Sequence, residues 1–100
     1  MTSDTVHRLL IAYDIVDDRR RARVSKVLLS YGDRIQYSVF LADARPVKLA
    51  RLRRAVVAKL DTLEDSVLFV DLGPLSTVSA KRFTVIGVGR PVTDSASFLM

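Results

Sequence analysis

Hydrophobic and polar positions change period several times along the chain, and each change marks an element. Leu9, Leu10, Ile11, Ala12 and Tyr13 form a short apolar run without Gly or Pro, closed by Asp14. Both alternations of that run are hydrophobic, which suits a strand covered on both faces and predicts one from about Arg8 to Asp14. From Arg19 the period lengthens. Val24, Val27, Leu28 and Tyr31 recur at i, i+3, i+4 and i+7, predicting a helix to Tyr31 with an inward stripe. Asp17 or Asp18 is placed to cap it, and Gly32 is expected to end it in the left-handed conformation. Ile35, Tyr37, Val39 and Leu41 then alternate with Gln36, Ser38, Phe40 and Ala42. The segment Arg34 to Ala42 reads as one long bent strand, or as two that meet near Tyr37 and Ser38.

Pro46 fits the first position of a second helix, which should reach Leu60 and bury Leu49, Leu52, Val56 and Leu60. Ser66 to Leu72 is a further apolar strand, and Gly73-Pro74 turns the chain. Lys81 to Val88 alternates again, predicting another strand. Ser97 to Met100 closes on an apolar note and should be buried, as an edge strand of its own sheet or of a partner's. The order strand, helix, strand or strands, helix, strand, strand predicts an α+β fold, with two helices on one face of an antiparallel sheet. That is the ferredoxin-like βαββαβ arrangement with an extra C-terminal strand. Residues 1–100 read as a single domain, with a core over about 8–88 and a C-terminal segment over about 92–100.

Composition narrows the class. Half of the 100 residues are hydrophobic and none is cysteine, so neither a disulfide framework nor a thiolate metal site is expected. The first six residues lack the apolar core of a signal peptide, and no stretch approaches a membrane span. A cytoplasmic protein with no membrane partner is expected. His7 has no second imidazole or cysteine near it in sequence and is not expected to hold a metal.

A net charge of +5 points to a polyanionic partner. The cations cluster: Arg19, Arg20, Arg21, Arg23 and Lys26 in one block, and Arg45, Lys48, Arg51, Arg53, Arg54 and Lys59 in another. Each block alone is equally consistent with a solvated helix face. Asp14 changes that balance, because an acid at the carboxyl end of a buried strand, followed by arginines, supplies what a phosphodiester site needs. The carboxylate offers oxygen to a hard cation and the guanidinium forks hold phosphate.

Two motifs carry a resemblance. Tyr13-Asp14-Ile15-x-Asp17-Asp18-x-Arg20-Arg21, with Leu28 beyond it, and Arg34-Ile35-Gln36-Tyr37-Ser38-Val39-Phe40 together resemble the second core CRISPR-associated protein, the Cas-two family. The likeness covers roughly the first two thirds of the chain. It implies a ferredoxin-like homodimer whose C-terminal segment crosses to the partner's sheet. It further implies that Asp14 binds a metal, Mg2+ or Mn2+, with Tyr13, Arg21, Arg23, Arg34 and Phe40 around the site. The implied activity is metal-dependent cleavage of RNA or duplex DNA, and the implied protein partner is the CRISPR integrase subunit.

With one Asp per chain, a twofold dimer would supply the second carboxylate if Asp14 lay near the axis. Asp14 is then the catalytic metal ligand, Arg21 or Arg23 binds the phosphate oxygens, and Tyr13 and Arg34 stand beside them. Arg19, Arg20, Arg21, Arg23, Lys26, Arg51 and Arg54 are the expected nucleic-acid contacts, and Phe40 packs at the interface or beneath the site. Two other readings use the same residues. One is a non-catalytic scaffold that grips duplex phosphates for an integrase, and the other is a toxin-type ribonuclease of related fold. A small-molecule regulatory domain would not need this arginine density.

Overall fold

A strand that is hydrophobic on both alternations belongs inside a sheet, and β1 (His7–Asp14) lies there. The computed structural model describes residues 5–89 and 92–94. The remaining elements are α1 (Asp18–Leu29), β2 (Gly32–Gln36), β3 (Val39–Ala44), α2 (Pro46–Val57) and β4 (Ser66–Pro74). Two short 3-10 turns, Leu75–Thr77 and Ala80–Arg82, follow. The four strands form one antiparallel sheet in the order β2-β3-β1-β4. β1 pairs with β3 on one side and β4 on the other, for example Ile11 with both Phe40 and Phe69. This is the ferredoxin-like order, with α1 and α2 packed together over one face.

The alternation decides which side chains meet the helices. Leu9, Ile11 and Tyr13 of β1 join Phe40 and Ala42 of β3, Val24 and Leu28 of α1, and Leu52 and Val56 of α2 in one core. Each large aliphatic side chain removed from water there contributes about 1.5–3 kcal/mol. The opposite face of the sheet carries Arg8, Leu10, Ala12 and Asp14 of β1, Val39, Leu41 and Asp43 of β3, and Leu68 and Val70 of β4. No helix covers this open face, and Leu68 remains 58% exposed on it.

One end of the open face is covered differently. Arg8 and Asp43 face each other across β1 and β3 at 1% and 0% exposure. Arg8 donates to both Asp43 oxygens, at 2.9 and 3.1 Å, and its third nitrogen donates to the Thr93 carbonyl at 2.7 Å. The chain after β4 is tied to the same end of the molecule. Leu75 N–H donates to the Val6 carbonyl, Val78 is buried, and Ala80 N–H donates to the Asp94 carboxylate. The described residues after β4 therefore strap this end of β1, with the Thr93 carbonyl held by the Arg8 of the buried ion pair.

Several sequence expectations change here. Arg34 to Ala42 is two strands, not one bent strand: Tyr37 and Ser38 form the turn between β2 and β3. Gly32 is not a left-handed helix stop. It opens β2, where a Cβ would sit 2.1 Å from the Leu41 carbonyl oxygen, so it is glycine because two strands approach closely. Lys81 to Val88 forms no strand. An alternating segment needs a neighbour to bond with, and this one pairs with neither free sheet edge, leaving Ile86 and Val88 exposed. Among the described residues there is no fifth strand, and the extra C-terminal strand expected at 92–100 falls mostly outside them.

Candidate active site and nucleic-acid interface

Asp14 is the last residue of β1 and is exposed. Strand alternation places it on the open face with Leu10 and Ala12, next to Ser66 of β4. Among the described residues it enters no ion pair, so its carboxylate is available to a cation. No group of three or more His, Cys, Asp or Glu among the described residues is placed to hold a metal ion. His7 is engaged instead with Asp71, donating from Nδ1 at 2.9 Å.

Tyr13 points the other way. Its ring is 7% exposed, 6.0 Å from the Phe40 ring, and its hydroxyl donates to the Tyr37 carbonyl at 3.3 Å. Phe40 is fully buried. The Arg34 guanidinium lies 5.1 Å from the Phe40 ring centre and donates to the Ser25 hydroxyl. Its Nε is buried and has no hydrogen-bond partner among the described residues.

Arg21 stabilises the β1–α1 connection. One of its nitrogens donates to the carbonyls of Ile15 and Val16, at 3.0 and 3.1 Å, and another donates to Asp18. Asp18 first, and then the Tyr37 hydroxyl, hold its guanidinium protonated still more firmly than usual. These side chains meet around one cavity of about 390 Å3, lined among others by Tyr13, Arg21, Ser25, Lys26, Arg34 and Tyr37. Asp14 does not line it. The residues expected around Asp14 are therefore divided between the two faces of the sheet. Adjacent residues of a strand face opposite sides of the sheet, so the Tyr13 and Asp14 side chains diverge.

The remaining cations divide by what holds them. Arg20 was expected to contact nucleic acid, but its guanidinium donates to both Asp65 oxygens, at 2.7 and 3.2 Å, and lies close to Asp17 and Glu64. It ties α1 to the loop before β4. Arg23 and Lys26 line a second cavity of about 440 Å3 with Lys59, in the turn just after α2. Arg19, Arg51 and Arg54 are exposed on the helices. Tyr37 and Ser25 did not stand out in the sequence as site residues. An aromatic at the turn of an otherwise alternating segment was the available signal for Tyr37.

The acids around Arg20 and His7 set a pH dependence. The Arg20 side chain holds the Asp65 carboxyl below the ordinary carboxylate range, and the His7 hydrogen bond does the same for Asp71. The Arg20 backbone N–H lowers Asp17, the N-cap of α1. A carboxyl with a depressed folded-state pKa adds stability that is fully present above its unfolded value of about 3.9. That stability is lost as pH falls through the lower folded value. Unfolding midpoints measured from neutral to strongly acidic pH should hold down to about pH 4 and then drop, and Asp65→Asn should flatten the drop.

The family model of CRISPR associated protein Cas2 matches residues 7–77, from the start of β1 past the end of β4. The chain belongs to the Cas2 family. It is 37% identical over 91 residues to the CRISPR-associated endoribonuclease Cas2 3 of Chloroflexus aurantiacus, covering 91% of this chain and 95% of that one. The crystal structure of Streptococcus pyogenes Cas2 superposes with a TM-score of 0.71 at 26% identity, covering 80% of this chain and 99% of that one. A chain of a partial Cas6-RT-Cas1–Cas2 complex matches with a TM-score of 0.66 at 27% identity, covering 86% and 90%. The Cas2 match spans both motifs, the Asp14 strand and the β2–β3 turn. No helix among the described residues is long and apolar enough to cross a membrane.

Proposed function

We propose that this Cas2-family chain is a CRISPR adaptation subunit that works as a homodimer and cleaves RNA or DNA phosphodiesters with a divalent cation, Mg2+ or Mn2+. The observation that carries the reading is the position of Asp14. It is a free carboxylate beside an uncovered apolar face of Leu10, Ala12, Val39, Leu68 and Val70. Two such faces stacked about a twofold axis bury their apolar surface and bring the two acids to one seam. A hard cation that keeps most of its waters needs only one or two carboxylates, so the pair fits it where one Asp does not. Such an ion supplies Lewis-acid polarisation and an activated water.

The chain's own groups do the rest. Arg21 holds the Ile15 and Val16 carbonyls and so fixes the loop that follows Asp14. Arg23, exposed on α1, is free to neutralise phosphate oxygens, and Arg19, Arg51 and Arg54 extend the positive surface. The likeness to the curated endoribonuclease supports the reaction class, and the Cas1–Cas2 complex supports an integrase subunit as protein partner.

A scaffold reading rests on a specific observation: Tyr13, Arg21 and Arg34 lie off the acid's face. In that reading the dimer grips nucleic acid for the integrase and Asp14 is not needed.

The experiment pairs sedimentation with cleavage of labelled RNA and duplex DNA. Leu68→Arg should yield a folded monomer that no longer cleaves, while the native dimer cleaves only with cation present. Cleavage that survives a chelator, or that a monomer performs equally well, overturns the proposal.

A further inference from the structure

The cavity on the helix side of the β2–β3 turn is not explained by a metal site on the opposite face. Its lining combines three chemistries. Arg21, Lys26 and Arg34 bring positive charge to one concavity. Tyr13 and Ser25 bring hydroxyls to it. Tyr37, at the tip of the turn, brings an aromatic ring that is 69% exposed.

The Tyr37 hydroxyl meets the Arg21 guanidinium, and most of the ring is left open to solvent beside the cations. The backbone at Tyr37 is fixed from two directions. The Tyr13 hydroxyl donates to its carbonyl at 3.3 Å, and Tyr13 N–H donates to the Ser38 carbonyl at 3.1 Å. The ring is thus presented by a turn anchored to the central strand. Arg34 adds a cation held in place at the cavity wall, its guanidinium stacked on Phe40 and bonded to Ser25. Three cations against one carboxylate, Asp18, leave the concavity net positive, which suits an anion.

We propose that this cavity is a nucleotide subsite, separate from Asp14, that stacks one unpaired base on Tyr37 and holds its phosphate with Arg21, Lys26 and Arg34. Its volume of about 390 Å3 lies within the range of small-ligand sites. The phosphate need displace only Asp18, whose side chain is 89% exposed, from Arg21. Lys26 also lines the neighbouring cavity with Arg23 and Lys59, so a strand leaving the first site meets further cations along α1. Stacking on a single ring requires a base out of its duplex, so the ligand is single-stranded. The subsite rests on the nucleic-acid reading above but not on cleavage.

The test is fluorescence anisotropy with an oligothymidylate of roughly 12 nucleotides, the same strand made abasic, and a duplex of equal length. Tyr37→Ala should weaken binding of the oligothymidylate about tenfold or more, and Tyr37→Phe should stay within about twofold of the native protein. Neither should alter duplex binding, and the abasic strand should bind native protein and Tyr37→Ala alike. Native affinity in Tyr37→Ala, or a parallel loss on strand and duplex, overturns the subsite. Cation-dependent cleavage measured on the same proteins separates the two claims. If Asp14→Asn cleaves normally while the Tyr37 effect holds, the nuclease reading fails and the subsite stands.

Discussion

Replacing Asp14 with Asn should lower cation-dependent phosphodiester cleavage by about a hundredfold or more, since even outer-shell partners of a metal ligand cost 10–100-fold. The substitution keeps the shape of the side chain and removes its charge, the one property a hard cation selects. Asp14 is exposed and supports no ion pair among the described residues, so the melting temperature should not change. The dimer should survive too. Two carboxylates facing each other without a cation repel, and the neutral variant should associate at least as tightly under chelation. Cleavage assays across a cation titration, run beside sedimentation, read all three quantities. An unchanged cleavage rate would leave the scaffold reading standing and remove the nuclease one.

The largest effect on stability should come from the other end of the open face. Asp43→Ala leaves the Arg8 guanidinium buried without its carboxylate, and breaking one side of a buried pair costs about 3–5 kcal/mol. Urea unfolding gives the magnitude. The double substitution Arg8→Met with Asp43→Leu should recover most of it, because apolar groups of similar volume need no partner there. The double variant still lacks the donor to the Thr93 carbonyl. Trypsin should therefore cut it faster at the exposed Lys81 and Arg82, even where its unfolding midpoint has returned. Equal cleavage rates would mean that the strap is held by its other contacts.

Periodicity was a good guide wherever an element buries one stripe. Val24 and Leu28, and Leu52 and Val56, face the core as their spacing required, and the doubly apolar β1 is the central strand. It was a poor guide where the deciding contact is remote in sequence. The Tyr37–Ser38 turn contains neither Gly nor Pro, and is held by Tyr13 from another strand. Gly32 looked like a helix stop because the close approach of Leu41 is invisible along the chain. Lys81 to Val88 alternates like a strand, but alternation does not supply a neighbour. Arg8 and Asp43 lie 35 residues apart, so nothing local marks them as a pair. Asp14, Arg21 and Arg34 were legible as chemistry, but their division between two faces was not. Strand geometry separates Tyr13 from Asp14 even though they are neighbours in sequence.

β1 is bonded to β3 from His7 to Ala12 and to β4 as far as Asp14, its last residue and the carboxylate on which the proposed reaction depends. A segment held in this way opens only when the whole molecule does, unlike a lid or a terminal hairpin. The reactive group is thus insulated from local breathing, and its aim is as durable as the native state itself. As long as the dimer stays associated, heat or denaturant should then abolish function and shape together.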